Sequence, residues 1–220
     1  MSKAAQLLSN GELILTQVNN KDWTGNKNSI FKTLGASNHT NKERQNEDFY
    51  ATDPIAIDVL IKDGNVKFDM PIWECSCGEG HLSERLKQYG YSVRSTDLVD
   101  RGYGEGEIDF LTYNENWHGD ILTNPPYKYA KEFIEHAMEL ISDGNRVFMF
   151  LKIQFLEGKS RKKLFEKYPP KCVYVSSSRI LCAKNARFDE MKAGGGSAVA
   201  YAWYEFEKGY QGETVLKWIN

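Results

Sequence analysis

Residues 71–80, Pro71-Ile72-Trp73-Glu74-Cys75-Ser76-Cys77-Gly78-Glu79-Gly80, decide the fold. Pro71 to Ser76 reads as a short strand that runs into a glycine turn. His81 to Gln88 then reads as a helix, stopped by Gly90. A strand, a Gly-x-Gly turn and a helix in succession bring backbone close to a ligand, because glycine carries no side chain. The spacing is not the dinucleotide fingerprint, which needs a third glycine where Ser83 stands. It is not a phosphate-binding P-loop either, since no Gly-Lys-Ser/Thr follows.

Strand and helix signals alternate on both sides of this unit. Upstream, Pro54 can serve as a first-turn residue for a helix carrying Ile55, Val59, Leu60 and Ile61 at roughly helical spacing. Downstream, Tyr91 to Thr96 alternates as a strand and ends at Asp97. A loop with Gly102, Gly104 and Gly106 leads to Ile108-Asp109-Phe110-Leu111, which reads as a short strand or strand end. Asp120 to Thr123 is a strand that stops at Asn124-Pro125-Pro126. Phe133, Ile134, Ala137, Met138 and Ile141 fall on one face of a helix over about 128–142. Val147 to Leu151 is a continuous apolar run, as in a strand buried on both faces. A short basic helix over about 160–168, a strand at Cys172–Val175, a polar insert at about 179–196 and a last strand from Ala198 to Phe206 complete the pattern. Strands alternating with helices predict an α/β fold, with a mostly parallel sheet and helices on both faces.

Length and composition agree. The chain has 220 residues, 41% hydrophobic and 13% aromatic, enough for one α/β domain with a real core. The expected organisation is a polar N-terminal arm over 1–48 and a single domain over 49–220. With 28 Lys and Arg against 30 Asp and Glu, no global charge pulls on nucleic acid, so such binding must come from local patches. Three clusters qualify: Lys159, Arg161, Lys162 and Lys163; Arg179, Lys184, Arg187 and Lys192; and Lys21, Lys27, Lys32, Lys42 and Arg44. No apolar run reaches the length of a membrane span, and the first residues lack the apolar core of a secretory signal. The spacing of Cys75 and Cys77 does not suit a zinc or redox pair. With Cys172 and Cys182 they read as free thiols of a reduced, cytoplasmic protein.

Two further constellations carry chemistry. Asp97 lies about 20 residues past the glycine turn, at the end of the next strand, where an acid can accept hydrogen bonds from ribose hydroxyls. Together with the turn it predicts a nucleoside-like ligand over the carboxyl edge of the sheet, with Asp109 placed to read an adenine amino group. Asn124-Pro125-Pro126-Tyr127 follows a buried strand. Its two prolines stiffen the loop and remove two donors, which leaves the Asn124 and Pro125 carbonyls free to accept. An amino group conjugated to an aromatic ring or a carbonyl is a poor nucleophile, because its lone pair is delocalised. Two acceptors holding its hydrogens favour the pyramidal geometry that frees that lone pair, and stabilise the positive charge of attack. Tyr127 offers a ring to stack on a planar substrate.

From about Phe31 to Trp218 the sequence resembles the small phage- and prophage-type N6-adenine DNA methyltransferases with the (D/N/S)PP(Y/F/W) motif. The stretches that carry the resemblance are Thr33 to His39, Tyr50 to Pro54, Trp73 to Leu82, Ser95 to Leu98 and Asp120 to Tyr127. It implies a Rossmann-like class I methyltransferase fold, with a seven-stranded sheet whose last strand is antiparallel. It implies S-adenosyl-L-methionine as cofactor and DNA as substrate, in a bacterial cytoplasm and the setting of restriction and modification, with a monomer or homodimer and no membrane partner. Carried over by position, Tyr50, Thr52 and Pro54 match the segment closing over the methionine part of the cofactor. Glu74, Ser76, Gly78 and Gly80 match the cofactor turn, with Glu74 where many relatives have Asp. Asp97 matches the ribose acid, Leu98 lies beside the adenine ring, and Asp109 and Phe110 match the adenine edge. Asn124, Pro125, Pro126 and Tyr127 match the catalytic loop; no metal is implied. Larger relatives carry a separate target-recognition domain, for which this chain has no room. Methylation of RNA adenine or of a protein glutamine amide, and a non-catalytic cofactor-binding subunit, are the alternatives.

Overall fold

A computed structural model of the chain describes residues 3–7, 13–17, 50–184, 186, 188–193 and 199–220. Two units separate along the chain, residues 1–39 and 40–220. In the first, β1 (Lys3–Leu7) and β2 (Leu13–Gln17) form an antiparallel hairpin, with Lys3 opposite Gln17 and Leu7 opposite Leu13. The Leu13-Ile14-Leu15 run has no two-residue alternation, which is why its sequence carries no strand signal. The polar stretch expected as an extended arm over 20–48 lies outside the described residues.

The second unit runs in order through β3 (Tyr50–Thr52), α1 (Ile55–Lys62), β4 (Ile72–Glu74), α2 (His81–Gln88) and β5 (Val93–Ser95). It continues with β6 (Asp120–Thr123), α3 (Ala130–Leu140), β7 (Arg146–Lys152), α4 (Lys159–Lys167) and β8 (Cys172–Ser176). β9 (Cys182–Lys184), α5 (Phe188–Ala193), β10 (Tyr201–Glu207) and β11 (Val215–Ile219) close it. Seven strands form one sheet in the order β11-β8-β10-β7-β6-β4-β5. All neighbours pair parallel except β10, which is antiparallel to both β7 and β8.

The sheet has seven strands, but not the seven expected. Ile108 to Leu111 is not a strand. Phe110–Thr112 forms a 3-10 turn capped by Asp109, whose carboxylate accepts the Leu111 N–H at 3.0 Å. Phe110 is drawn into the core beside Trp73 and Phe133, at ring distances of 5.3 and 4.9 Å, and that packing bends the segment out of the sheet plane. β5 is therefore an edge strand. The seventh strand is β11, parallel to β8. The antiparallel strand β10 is thus not the last; its successor escapes sequence reading because Val215, Leu216 and Trp218 are exposed and no buried face imposes a period.

Both faces of the sheet are covered. On β7, Val147, Met149 and Leu151 point into one core with α3 and Trp73. Phe148 and Phe150 point into the other with α1, α2 and Trp203. Each such large side chain contributes about 1.5–3 kcal/mol by burial. The indole N–H groups that go with them are satisfied: Trp203 donates to the Ala56 carbonyl and Trp73 to the Thr96 hydroxyl, both at 2.9 Å. β4, β6 and β7 run parallel with β5, so Glu74, Ser95 and Thr123 end on the same edge, and the loops after them meet there. No described helix is long and apolar enough to cross a membrane.

Candidate active site

The turn after β4 is stitched to the end of β5. Thr96 N–H donates to the Glu74 carbonyl and Cys77 N–H to the Thr96 carbonyl, both at 2.9 Å. Gly78 (φ 55°) and Gly80 (φ 82°) adopt the left-handed conformation that makes the turn possible. A Cβ on Gly80 would lie 2.3 Å from the Tyr103 ring, so the glycine also makes room for that side chain. Asp97 closes the turn. One carboxylate oxygen accepts the Gly78 N–H at 2.8 Å and the other the Val99 N–H at 2.9 Å. Each oxygen keeps a second lone pair for a ligand. Leu98, beside it, is 62% exposed.

Glu74 is buried under this turn. Its carboxyl accepts a hydrogen bond from Ser83, which in turn contacts Ser95 at 2.6 Å. Burial pushes the Glu74 carboxyl up to about 8, against the pull of the Ser83 hydrogen bond. At neutral pH it is therefore mostly an uncharged acid.

The Asn124-Pro125-Pro126-Tyr127 loop emerges beside the turn. The Ser76 hydroxyl lies 2.7 Å from that of Thr123 and donates to the Asn124 carbonyl at 3.2 Å. The Asn124 main-chain carbonyl, expected to be free, therefore carries one hydrogen bond. The side chain offers a second acceptor at the same residue. Asn124 Nδ2 donates to Thr52 Oγ1 at 2.8 Å and approaches the Tyr50 carbonyl at 3.5 Å. Asn124 Oδ1 is buried without a hydrogen-bond partner among the described residues. No described residue donates to the Pro125 carbonyl. Tyr127 is half-buried: its hydroxyl donates to Cys182 Sγ at 3.5 Å, the Lys152 ammonium sits 5.1 Å from its ring centre, and the Tyr201 ring is 6.1 Å away. Burial holds its phenol well above the usual range.

A shallow, open cleft joins the two loops, lined by Tyr50, Thr52, Glu74, Ser76, His81 and Asn124 among others. Of the residues singled out in the sequence, Tyr50, Thr52, Glu74, Ser76 and Asn124 share this cleft, and Gly78, Gly80 and Asp97 form the turn at its side. Pro54 precedes α1 and does not line it. Asp109 caps its own 3-10 turn, and Phe110 is 2% exposed in the core.

One element of the site gives little warning in the sequence. β9, within the insert expected to be merely polar, pairs antiparallel with β3 and sets Cys182 opposite Thr52. The only signal was Ile180 to Ala183, a short apolar run that is buried throughout. Of the basic clusters, Arg161 donates to the Gln154 and Glu157 carbonyls at 2.9 Å, and Lys162 pairs with Glu166 at 2.6 Å. Lys159 and Lys163 are exposed. Arg187, the side chains of Lys184 and Lys192, and the 20–48 cluster lie outside the described residues.

No family model matches the sequence, and no curated protein matches it. Solved structures do. A candidate hemolysin from Lactococcus lactis aligns with TM-score 0.54 and 10% identity over 74% of this chain and 91% of its own. A type I restriction-modification methyltransferase subunit from Streptococcus thermophilus aligns with TM-score 0.53 and 14% identity over 75% of this chain. A predicted O-methyltransferase from Agrobacterium tumefaciens aligns with TM-score 0.50 and 12% identity over 76% of this chain and 85% of its own. The chain has the class I methyltransferase fold. That fold serves many substrates, as the three descriptions show, so the choice among them rests on the site. The chain spans 46% of the Streptococcus subunit.

Proposed function

We propose that the chain transfers a methyl group from S-adenosyl-L-methionine to the N6 amino group of adenine in DNA. The observation that carries this reading is the buried, unpartnered Asn124 Oδ1 at the cleft beside the glycine turn. A buried acceptor without a donor costs about 1–3 kcal/mol. Such an atom suits a donor brought by the substrate.

The residues fit the cofactor. Asp97 retains lone pairs for two ribose hydroxyls, exposed Leu98 can cover an adenine face, and the polar wall of Tyr50, Thr52, Glu74 and Ser76 suits an amino-acid end. Bound S-adenosyl-L-methionine supplies a methyl group on a positively charged sulfur. Glu74, mostly uncharged at neutral pH, places no buried anion beneath the turn.

The chain's own part is to prepare the amine. Adenine N6 is a weak nucleophile, because its lone pair is delocalised into the ring. One N–H donates to Asn124 Oδ1 and the other to the Pro125 carbonyl, which pyramidalises the nitrogen and stabilises its developing positive charge. The lone pair then attacks the methyl carbon as the carbon–sulfur bond breaks, and the excess proton leaves N6 to water. A base in a duplex must first leave the stack, at a cost of a few kcal/mol. The NPPY resemblance favours adenine in DNA over other acceptors of the same chemistry.

Labelled S-adenosyl-L-methionine offered in parallel to duplex DNA, single-stranded DNA, RNA and a protein mixture tests this. Label recovered from DNA as N6-methyladenine is the expected result. Label confined to RNA or to glutamine side chains moves the substrate to those classes. Cofactor binding with no transfer to any acceptor overturns the enzyme reading.

A further inference from the structure

An asparagine amide is nearly symmetric in shape, and its two ends do opposite things. The oxygen accepts a hydrogen bond from an amino group, whereas the NH2 repels one. Something in the fold must therefore fix which end of Asn124 faces the cleft. We propose that Thr52 and Cys182 are positioning residues that lock the Asn124 amide with its oxygen toward the acceptor nitrogen. The proposal rests on the methyl-transfer reading for what Oδ1 meets, but not for how the amide is held.

The geometry is a chain of hydrogen bonds leading away from the cleft. Asn124 Nδ2 meets two oxygens, Thr52 Oγ1 at 2.8 Å and the Tyr50 carbonyl at 3.5 Å. A carbonyl can only accept, so the end that faces it is the NH2. The Thr52 hydroxyl in turn lies 4.0 Å from Cys182 Sγ, a contact in which either atom can donate. Cys182 Sγ accepts from the Tyr127 hydroxyl at 3.5 Å. The chain thus runs Asn124 to Thr52 to Cys182, with Tyr127 entering the same sulfur, and it ties the first residue of the catalytic loop to the last. Every polar atom in it is partnered except Asn124 Oδ1.

The backbone sets up this chain. β3 and β9 pair with Thr52 and Cys182 as direct register partners, although 130 residues separate them. Both side chains are buried, at 3% exposure. Burial raises the Cys182 thiol above its usual range, so it remains a neutral S–H rather than a thiolate. Its place here is that of a soft, weak hydrogen-bonding group, not of a nucleophile.

Thr52→Val keeps the shape and removes the hydroxyl; Thr52→Ser keeps the hydroxyl. Three readouts separate positioning from scaffolding: the side-chain amide resonances of Asn124, the single-turnover transfer rate to adenine, and the affinity for S-adenosylhomocysteine. Thr52→Val is expected to shift the bonded Asn124 amide proton toward a solvent-like position. It slows transfer on the order of 10- to 100-fold, as loss of an orienting partner does. Thr52 also lines the cleft, so affinity falls too, but by less than the rate, and Thr52→Ser restores the rate to within about threefold. Cys182→Val breaks the far link and gives a smaller shift of the same resonance. Unchanged Asn124 resonances in Thr52→Val overturn the proposal, as does a parallel fall in rate and affinity that Thr52→Ser does not repair. If the wild-type protein methylates no adenine, the functional reading fails, and the amide resonances alone decide whether Thr52 holds Asn124.

Discussion

Asp97 Oδ2 accepts the backbone N–H of Gly78 at 2.8 Å, so the acid that ends β5 holds the turn that ends β4. The carboxylate spans two parallel strands and also accepts the Val99 N–H. One side chain therefore shapes the turn and, in the proposed reading, binds the ribose. Asp97→Ala leaves two partly exposed amides without a partner, which costs about 1–2 kcal/mol of stability. The same change should weaken S-adenosylhomocysteine binding at least tenfold, about 1.4 kcal/mol. Urea titration and calorimetry read the two effects separately. Lost stability with unchanged affinity would leave Asp97 a purely structural residue.

Gly80 faces a different constraint. Its φ of 82° is costly for any residue with a Cβ, and the added methyl would lie 2.3 Å from the Tyr103 ring. That ring cannot step aside freely: its hydroxyl donates to Glu84 at 2.6 Å and accepts from Lys87 at 2.8 Å. Gly80→Ala should cost about 1–2 kcal/mol from the backbone, with a steric part of similar size added. In a Tyr103→Ala background only the backbone part remains. Thermal melts of the four proteins make this cycle, and equal costs in both backgrounds would exclude the clash.

These features differ in how far the sequence reveals them. The glycine turn, Asp97 and Asn124-Pro125-Pro126 are local, because each depends on residue types at a strand end with fixed spacing. The buried runs at Ile72–Glu74 and Val147–Leu151 are legible for the same reason. The β3–β9 pair is not, since three residues at Tyr50–Thr52 meet three at Cys182–Lys184 with no periodicity in either. Phe110 illustrates the reverse error. Its neighbours Ile108 and Leu111 read as strand, but the aromatic cluster around Trp73 takes the ring and a 3-10 turn results. The hydrogen bond from Ser76 to the Asn124 carbonyl is not legible either. A hydroxyl 48 residues away has no signature in the sequence.

Glu74 gives a pH signature. Its carboxyl is raised from 4.5 to about 8 by burial. Between those values the folded protein keeps a proton that the unfolded chain has released. Stability therefore falls as pH rises from about 4.5 to about 8 and levels off above. Glu74→Gln resembles the protonated acid and does not titrate. Its stability relative to wild type should be near zero at pH 4.5 and rise to a gain on the order of a few kcal/mol at pH 8.5. Denaturant titrations at the two pH values measure this. A gain independent of pH would mean that Glu74 does not hold its proton.

Asn124 should separate stability from function. Its Oδ1 is a buried acceptor without a donor, and its Nδ2 is bonded to Thr52. Asn124→Ala removes one unfavourable group and one favourable bond, so the two changes offset and stability should move by less than about 1 kcal/mol. The transition state loses its acceptor. Single-turnover transfer should then fall on the order of 10²- to 10³-fold, the usual effect of removing one polar group aimed at developing charge. Asn124→Asp retains an oxygen on the cleft side and one that the Thr52 hydroxyl can donate to, so its rate should lie between the two. An unchanged rate in Asn124→Ala, with the protein still folded, would show that Oδ1 does not meet the acceptor nitrogen. A collapse of folding in the same variant would mean that the amide is held for the loop and not for chemistry.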